Sequence, residues 1–360
     1  MRSSPVSKAS LPASTLAGMR LVIDARLREL LPLPQGTCDR VGMAMHAAAM
    51  APGGRCRPLL MLLAGRGLSS ESRALLDLAC AVEMVHAASQ FLDDLPCMGY
   101  ARQRSSSPAI DARFDQRVAV LAALALRSEA CAVVASAPGL PGSLRAKLVQ
   151  VLCEASDARA LVGGQSRDLP NGKSTRPASH LASHIGGHIV NASARHTAST
   201  SEQQTGALFA AAMEMAALAA RVPNAARRAL GEAARELGRA VELRGDLQEA
   251  CDELAERMMD RHPDKGKSTF GAQLGRDAVQ RRLDTHLAQA SGHLREAFED
   301  NAGLNGVNGV NGVIGVTGVI GLMLAAIGEA PPDADEPGLH ITPARYARAT
   351  GQAVALALVR

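Results

Sequence analysis

Residues 75–94 read LLDLACAVEMVHAASQFLDD, an apolar run that closes on two adjacent carboxylates. Twenty residues make about five turns of helix. Their Ala, Leu and Met content favours helix over strand. A pair of carboxylates at the end of such a run is costly to bury without a cation or donors beside it, so Asp93 and Asp94 require a partner.

Outward from this run, helical periodicity alternates with Gly/Pro breaks. The spacing predicts helices over 14–31, ending at the LPLP of 31–34, and over 42–50, before the turn Ala51-Pro52-Gly53-Gly54. It predicts others over 59–67, 72–94, 117–136, 144–162, 180–194, 205–221, 225–260 and 275–300. No set of alternating strands is present, and the expected class is all-α. Aromatic residues make up only 2% of a 47% hydrophobic chain without Trp, so the core falls to Ala, Leu, Val and Met.

The 360 residues are within reach of one large helical domain, placed at 14–300. Residues 1–13 lack the apolar centre of a secretion signal and read as a disordered tail. Glycine recurs at every third position from Gly303 to Gly321 without proline, which excludes collagen and marks 301–330 as a low-complexity flexible segment. The apolar part, 312–327, is too short and too rich in Gly for a stable membrane span. Residues 331–360 form a C-terminal segment.

The net charge of +4 is carried mostly by Arg, which suits bidentate phosphate contacts better than Lys. No basic run is interleaved with stacking aromatics, so a nucleic-acid partner is not expected. Seven cysteines are scattered at 38, 56, 80, 97, 131, 153 and 251 without CxxC or Cys/His metal spacing, which fits a reducing cytoplasm.

A second acidic set, Asp246 and Glu249, stands three residues apart within VELRGDLQEA (241–250). Two acidic helix faces suit hard cations, in the manner of Mg²⁺ bridging protein to diphosphate. Arginines stand where a diphosphate would need them, Arg55 and Arg57 in GGRCRP and Arg102 and Arg104 after the first acidic pair. His86 lies eight residues before Asp94, on roughly the same helix face.

Four segments then resemble consecutive landmarks of the bacterial polyprenyl synthetases, in particular the geranylgeranyl diphosphate synthases of carotenoid-type pathways. They are MAPGGRCRPLLMLLAGRGL (50–68), LLDLACAVEMVHAASQFLDDLPCM (75–98), GGQSRDL (163–169) and GKST (266–269). The resemblance runs from about Leu21 to Leu283. It implies an isoprenoid synthase-type all-α bundle around a central cavity, usually homodimeric, joining isopentenyl diphosphate to an allylic diphosphate with Mg²⁺.

By resemblance, Asp93, Asp94 and Asp246 are the catalytic carboxylates, and with Glu249 they would hold the metal. Arg104 matches the contact to the allylic diphosphate, and Arg55, Arg57 and His86 match the contacts to isopentenyl diphosphate. Gln165 and Lys267 fall in the other two substrate-binding landmarks, and Asp168 accompanies Gln165. The small Ala88 and Ser89 resemble the pattern of long products, with no ring to block chain growth.

The sequence also departs from the family pattern. Gly99 stands where the first motif would supply its last Asp, and Gly245 where the second would supply its leading Asp. Gly54 replaces the usual Lys of the GKRxRP turn, Ser105 the second Arg of the RRG element, and Gly187-His188 a Lys-Thr pair. Each lost preorganised charge partner removes about 2–4 kcal/mol of transition-state stabilisation, and such losses are not additive. Two readings follow. One is a weakened prenyl-elongating synthase. The other is a non-catalytic homologue, either a decayed synthase or the heterodimer partner of an active one. A class I terpene cyclase using Asp246, Glu249 and Glu253 ranks behind both, since the Asn/Ser chemistry it needs is absent.

Overall fold

The computed structural model describes residues 16–36, 38–68, 70, 72–93, 95, 114–158, 160–162, 206–259, 276–302 and 323; at 245–259, 276–277 and 299–302 the description is of the backbone. Among them are nine long helices and no strand. They are α1 (Leu16–Leu30), α2 (Arg40–Ala49), α3 (Cys56–Gly67), α4 (Leu75–Asp93), α5 (Gln116–Ala135) and α6 (Gly142–Ala155). Then come α7 (Gly206–Ala220), α8 (Asn224–Met259) and α9 (Arg276–Ala302). The all-α class is as the sequence implied. The helix expected over 180–194 lies outside the described residues, as does the segment 301–330 beyond the end of α9 at Ala302, apart from the buried Met323.

Helix α4 is the axis of the first half. Fifteen of its nineteen residues are buried, which suits a helix apolar on every face, and α1, α2, α3 and α5 all pack on it. Helices α4 and α5 are each long and apolar enough to cross a membrane. Burial marks α4 as a core helix. Helix α5 rests on α2, α4 and α6 along one side and exposes Val120, Leu121 and Leu124 on the other.

Three helix ends differ from the sequence reading: α4 starts at Leu75 rather than 72, after a turn at 73–74, and the other two have local reasons. Helix α3 starts at Cys56 rather than 59, because Pro58 sits in the first turn, where a helix needs no N–H from it. Helix α6 stops at Ala155 rather than 162. There the Ser156 hydroxyl donates to the Leu152 carbonyl at 3.0 Å and its N–H turns back to the last carbonyls of the helix.

The second half is built on α8, thirty-six residues long, with α9 packed along it. Helix α7 meets α8 where Gly206 and Gly238 face each other; a Cβ added at Gly238 would lie 3.1 Å from the Gly206 Cα. The halves join through α3. Gly67 leaves room for the Phe298 ring of α9, whose atoms stand 2.7–2.9 Å from where a Cβ at 67 would be. Arg57 of α3 lies against Phe209 of α7.

Candidate active site

The turn before α3 is where the positive residues gather. Arg55 caps α3 in the left-handed region, at φ 51° and ψ 34°, a conformation that costs a side-chain-bearing residue about 1–2 kcal/mol. Two ion pairs offset it. Arg55 Nε donates to Asp24 Oδ1 of α1 at 2.8 Å, and its Nη1 donates to Glu83 Oε1 of α4 at 2.9 Å. Burial disfavours the Arg55 cation, but Glu83 and Asp24 outweigh burial and raise its pKa.

Helix α1 straps the same turn at one further point and ties down α4 at another. Arg20 Nε donates to the Gly54 carbonyl at 3.1 Å. Two turns along, Arg26 forks onto both oxygens of the buried Asp77 of α4, at 2.7 and 3.1 Å. Arg55 is therefore held by neighbouring carboxylates in the frame, whereas the family resemblance gave it a substrate contact.

Arg57 is different. Its guanidinium carbon lies 4.8 Å from the centre of the Phe209 ring, within cation–π range, and its Nε finds no hydrogen-bond partner among the described residues. The side chain is only 9% exposed, and burial pulls its pKa below the ordinary value while Glu83, Cys56 and Glu242 oppose that. A buried cation with an unsatisfied donor is expensive unless an anion can reach it.

Glu83 and Glu242 set the register of the two acidic faces. On α4, His86 follows Glu83 by one turn, and Asp93, the last residue of the helix, follows it by about 15 Å. On α8, Asp246 follows Glu242 by one turn and Glu249 by two, about 6 and 10 Å along. Both acidic sets thus lie C-terminal to carboxylates whose charge Arg57 feels. His86 and Asp93 are half-buried, and Ala88 and Ser89 are buried, with the Ser89 hydroxyl donating to the His86 carbonyl at 2.9 Å.

Asp94, Arg102, Arg104, Gln165, Asp168 and Lys267 lie outside the described residues, as do Gly99, Ser105 and Gly187-His188; Asp246, Glu249 and Gly245 are placed by their backbone. Phe91 of α4 and Phe114 meet edge to face, with centroids 6.5 Å apart. A Cβ at Gly54 would lie 3.1 Å from Cys56 Sγ, so a lysine there needs the thiol to give way.

Sequence reasoning missed Asp24, Glu83, Glu242 and Phe209. Glu83 carried a signal, as a lone acid inside an apolar run. Phe209 carried none, since nothing in the sequence sets it opposite Arg57.

The polyprenyl synthetase family model matches residues 39–268. A geranylgeranyl diphosphate synthase of Pantoea ananas is 42% identical over 277 residues, covering 76% of this chain and 85% of the relative. Another from Pseudescherichia vulneris is 38% identical over 291 residues, covering 80% and 88%. The apo structure of an FPP/GFPP synthase from Zymomonas mobilis superimposes with a TM-score of 0.64 at 28% identity, over 80% of this chain and 96% of that one. With the matched model spanning well over half of the sequence, the chain belongs to the polyprenyl synthetase family.

Proposed function

We propose that this protein is a trans-prenyltransferase that joins isopentenyl diphosphate to an allylic diphosphate, with weakened catalysis. The observation that carries the reading is Arg57, a buried cation at the start of α3 whose Nε has no partner among the described residues, stacked on Phe209 and flanked by the helices that bear both acidic sets. Arg57 and His86 bind one diphosphate, and Arg104, Gln165 and Lys267 complete the substrate contacts. Arg55 is assigned to holding the turn through Asp24 and Glu83 rather than to the substrate.

Carboxylates are hard donors that suit Mg²⁺, and Asp93, Asp94, Asp246 and Glu249 are the residues that would hold it. When bound there, Mg²⁺ would supply positive charge to offset that of the diphosphate leaving group. The chain's own part is to fix the diphosphates, exclude water and leave the path past Ala88 and Ser89 clear, which favours a geranylgeranyl-length product. The location in keeping with this reading is the cytoplasm.

A homodimer is the proposed assembly. Val120, Leu121 and Leu124 offer an apolar stripe on α5, exposed by 39%, 53% and 58%, as the surface for a second copy. Gly245, in place of a leading carboxylate on α8, favours a second reading in which the chain is a non-catalytic partner of an intact synthase.

The test is Mg²⁺-dependent condensation of isopentenyl diphosphate with dimethylallyl, geranyl and farnesyl diphosphates by the purified protein. Product from any of them supports the enzyme. None above background, together with co-purification of an active synthase, supports the partner. Restoring Gly99→Asp and Gly245→Asp together is expected to raise kcat/KM about a hundredfold or more. A flat response places the deficit elsewhere.

A further inference from the structure

The seven cysteines show no pairing in the sequence, yet the fold brings two of them together. Cys131 of α5 and Cys153 of α6 stand with their sulfurs 3.8 Å apart at the protein surface, one thiol hydrogen-bonded to the other. Their separation is set by packed helices. Arg127, one turn before Cys131, donates from Nη2 to the Ser156 carbonyl at 2.7 Å, and Ser156 ends α6 just past Cys153. Cys153 is exposed and Cys131 half-buried.

From this juxtaposition we infer that Cys131 and Cys153 form a reversible dithiol–disulfide site whose oxidant is a low-molecular-weight disulfide. The exposed Cys153, as thiolate, attacks one sulfur of the oxidant, giving a mixed disulfide and releasing one thiolate. Cys131, after losing its proton to solvent, attacks Cys153 Sγ, forming the intrachain bond and releasing the second thiolate. Two protein thiols are oxidised, one external disulfide is reduced to two thiols, and both protons are accounted for. Closing from 3.8 Å to a bond of about 2 Å calls for side-chain rotation within the spacing that neighbouring helices allow.

Burial, and then the neighbouring Cys153, raise the Cys131 pKa, so Cys153 is the first nucleophile and Cys131 the resolving one. Cys131 lies about 16 Å along α5 from Val120, towards the other end of the helix from the exposed apolar stripe. The bond would tie α5 to the helix that leads into the GGQSRDL segment. The inference is independent of the proposed reaction and is read without any activity measurement.

The full-length reduced chain is incubated with oxidised glutathione, quenched with a thiol alkylator and digested with trypsin without reduction. The expected product is peptide 128–145 joined to peptide 148–159, with titratable thiols in denaturant falling by two from seven. The Tm should rise by about 5 °C and fall back on adding dithiothreitol. Cys131→Ser should leave Cys153 as a stable glutathione adduct, and Cys153→Ser should leave Cys131 unmodified. Adducts on Cys153 alone in the parent chain, a Cys153 bond between two chains, or an unchanged thiol count would each overturn the inference.

Discussion

Replacing Glu83 with glutamine tests the frame of the candidate site directly. Glu83 is 4% exposed, accepts from Arg55 at 2.9 Å and is the first carboxylate whose charge opposes the desolvation of Arg57. Glutamine keeps the volume and one acceptor oxygen but removes the charge shared by two buried guanidinium groups. Breaking a buried pair from one side costs about 3–5 kcal/mol. Asp24 still holds Arg55 Nε, which sets the expectation at the low end, about 3 kcal/mol. At about 2.1 cal/mol/K of unfolding entropy per residue, a chain of 360 residues then loses about 4 °C in Tm. Asp24→Asn, at a side chain 28% exposed, removes the weaker partner and should lower Tm by about 2 °C. Adding Arg55→Met to Glu83→Gln should recover part of the loss, since an apolar replacement of a buried pair is often neutral. Melting followed by far-UV circular dichroism and calorimetry reads all four proteins. If Glu83→Gln melts within about 2 °C of the parent, or loses no more than Asp24→Asn, the central role of Glu83 is refuted.

Other expectations concern separate parts of the molecule. Arg57→Met should raise KM for isopentenyl diphosphate by about 10- to 100-fold, the loss of charge-assisted hydrogen bonds worth about 1.5–3 kcal/mol, with Arg57→Lys recovering only part; steady-state kinetics decides, and an unchanged KM removes Arg57 from the substrate. The glycines of α8 should respond with opposite signs in thermal melts. Gly231 has nothing within 4 Å of an added Cβ, so Gly231→Ala gains up to about 1 kcal/mol of helix propensity, whereas Gly238→Ala presses on Gly206 and loses about 1–2 kcal/mol. Asp115, the N-cap of α5, has its pKa pulled down to about 2 by the Arg117 guanidinium and then the Arg117 N–H. A folded pKa below the unfolded value of about 3.9 contributes stability above pH 4 that fades as pH falls towards 2. Melts between pH 5 and pH 2.5 should therefore show the parent losing more than Asp115→Asn, and parallel losses would count against the cap.

Much of the fold was legible because helix periodicity and Gly/Pro breaks are local. The ends of α1, α2, α5, α7, α8 and α9 fall within about two residues of where the spacing put them. Among the exceptions, Leu75 follows a turn at 73–74, while Cys56 and Ala155 depend on a proline admitted to a first turn and on a serine closing a last one. The candidate site was legible as residue types in order, with Arg57, His86 and Asp93 among its candidates. Its three-dimensional logic was not. That Arg55 is held by Asp24 and Glu83 follows from α1 and α4 meeting at the turn, thirty-one and twenty-eight residues away in sequence, and that Cys131 meets Cys153 follows from the α5–α6 packing. Long-range pairing of this kind leaves no periodic trace in the sequence.

The strapped turn before α3 divides the selective demands on this protein into two sets of positions. Asp24, Arg55, Asp77 and Glu83 secure the frame through contacts within the chain, without recourse to positions 99 or 245. A scan that scores cellular abundance would therefore be steep at the former and shallow at the latter, and a scan that scores product would add positions such as 57 and 93. A chain framed in this way can carry glycine at 99 and 245 and still keep every one of these contacts.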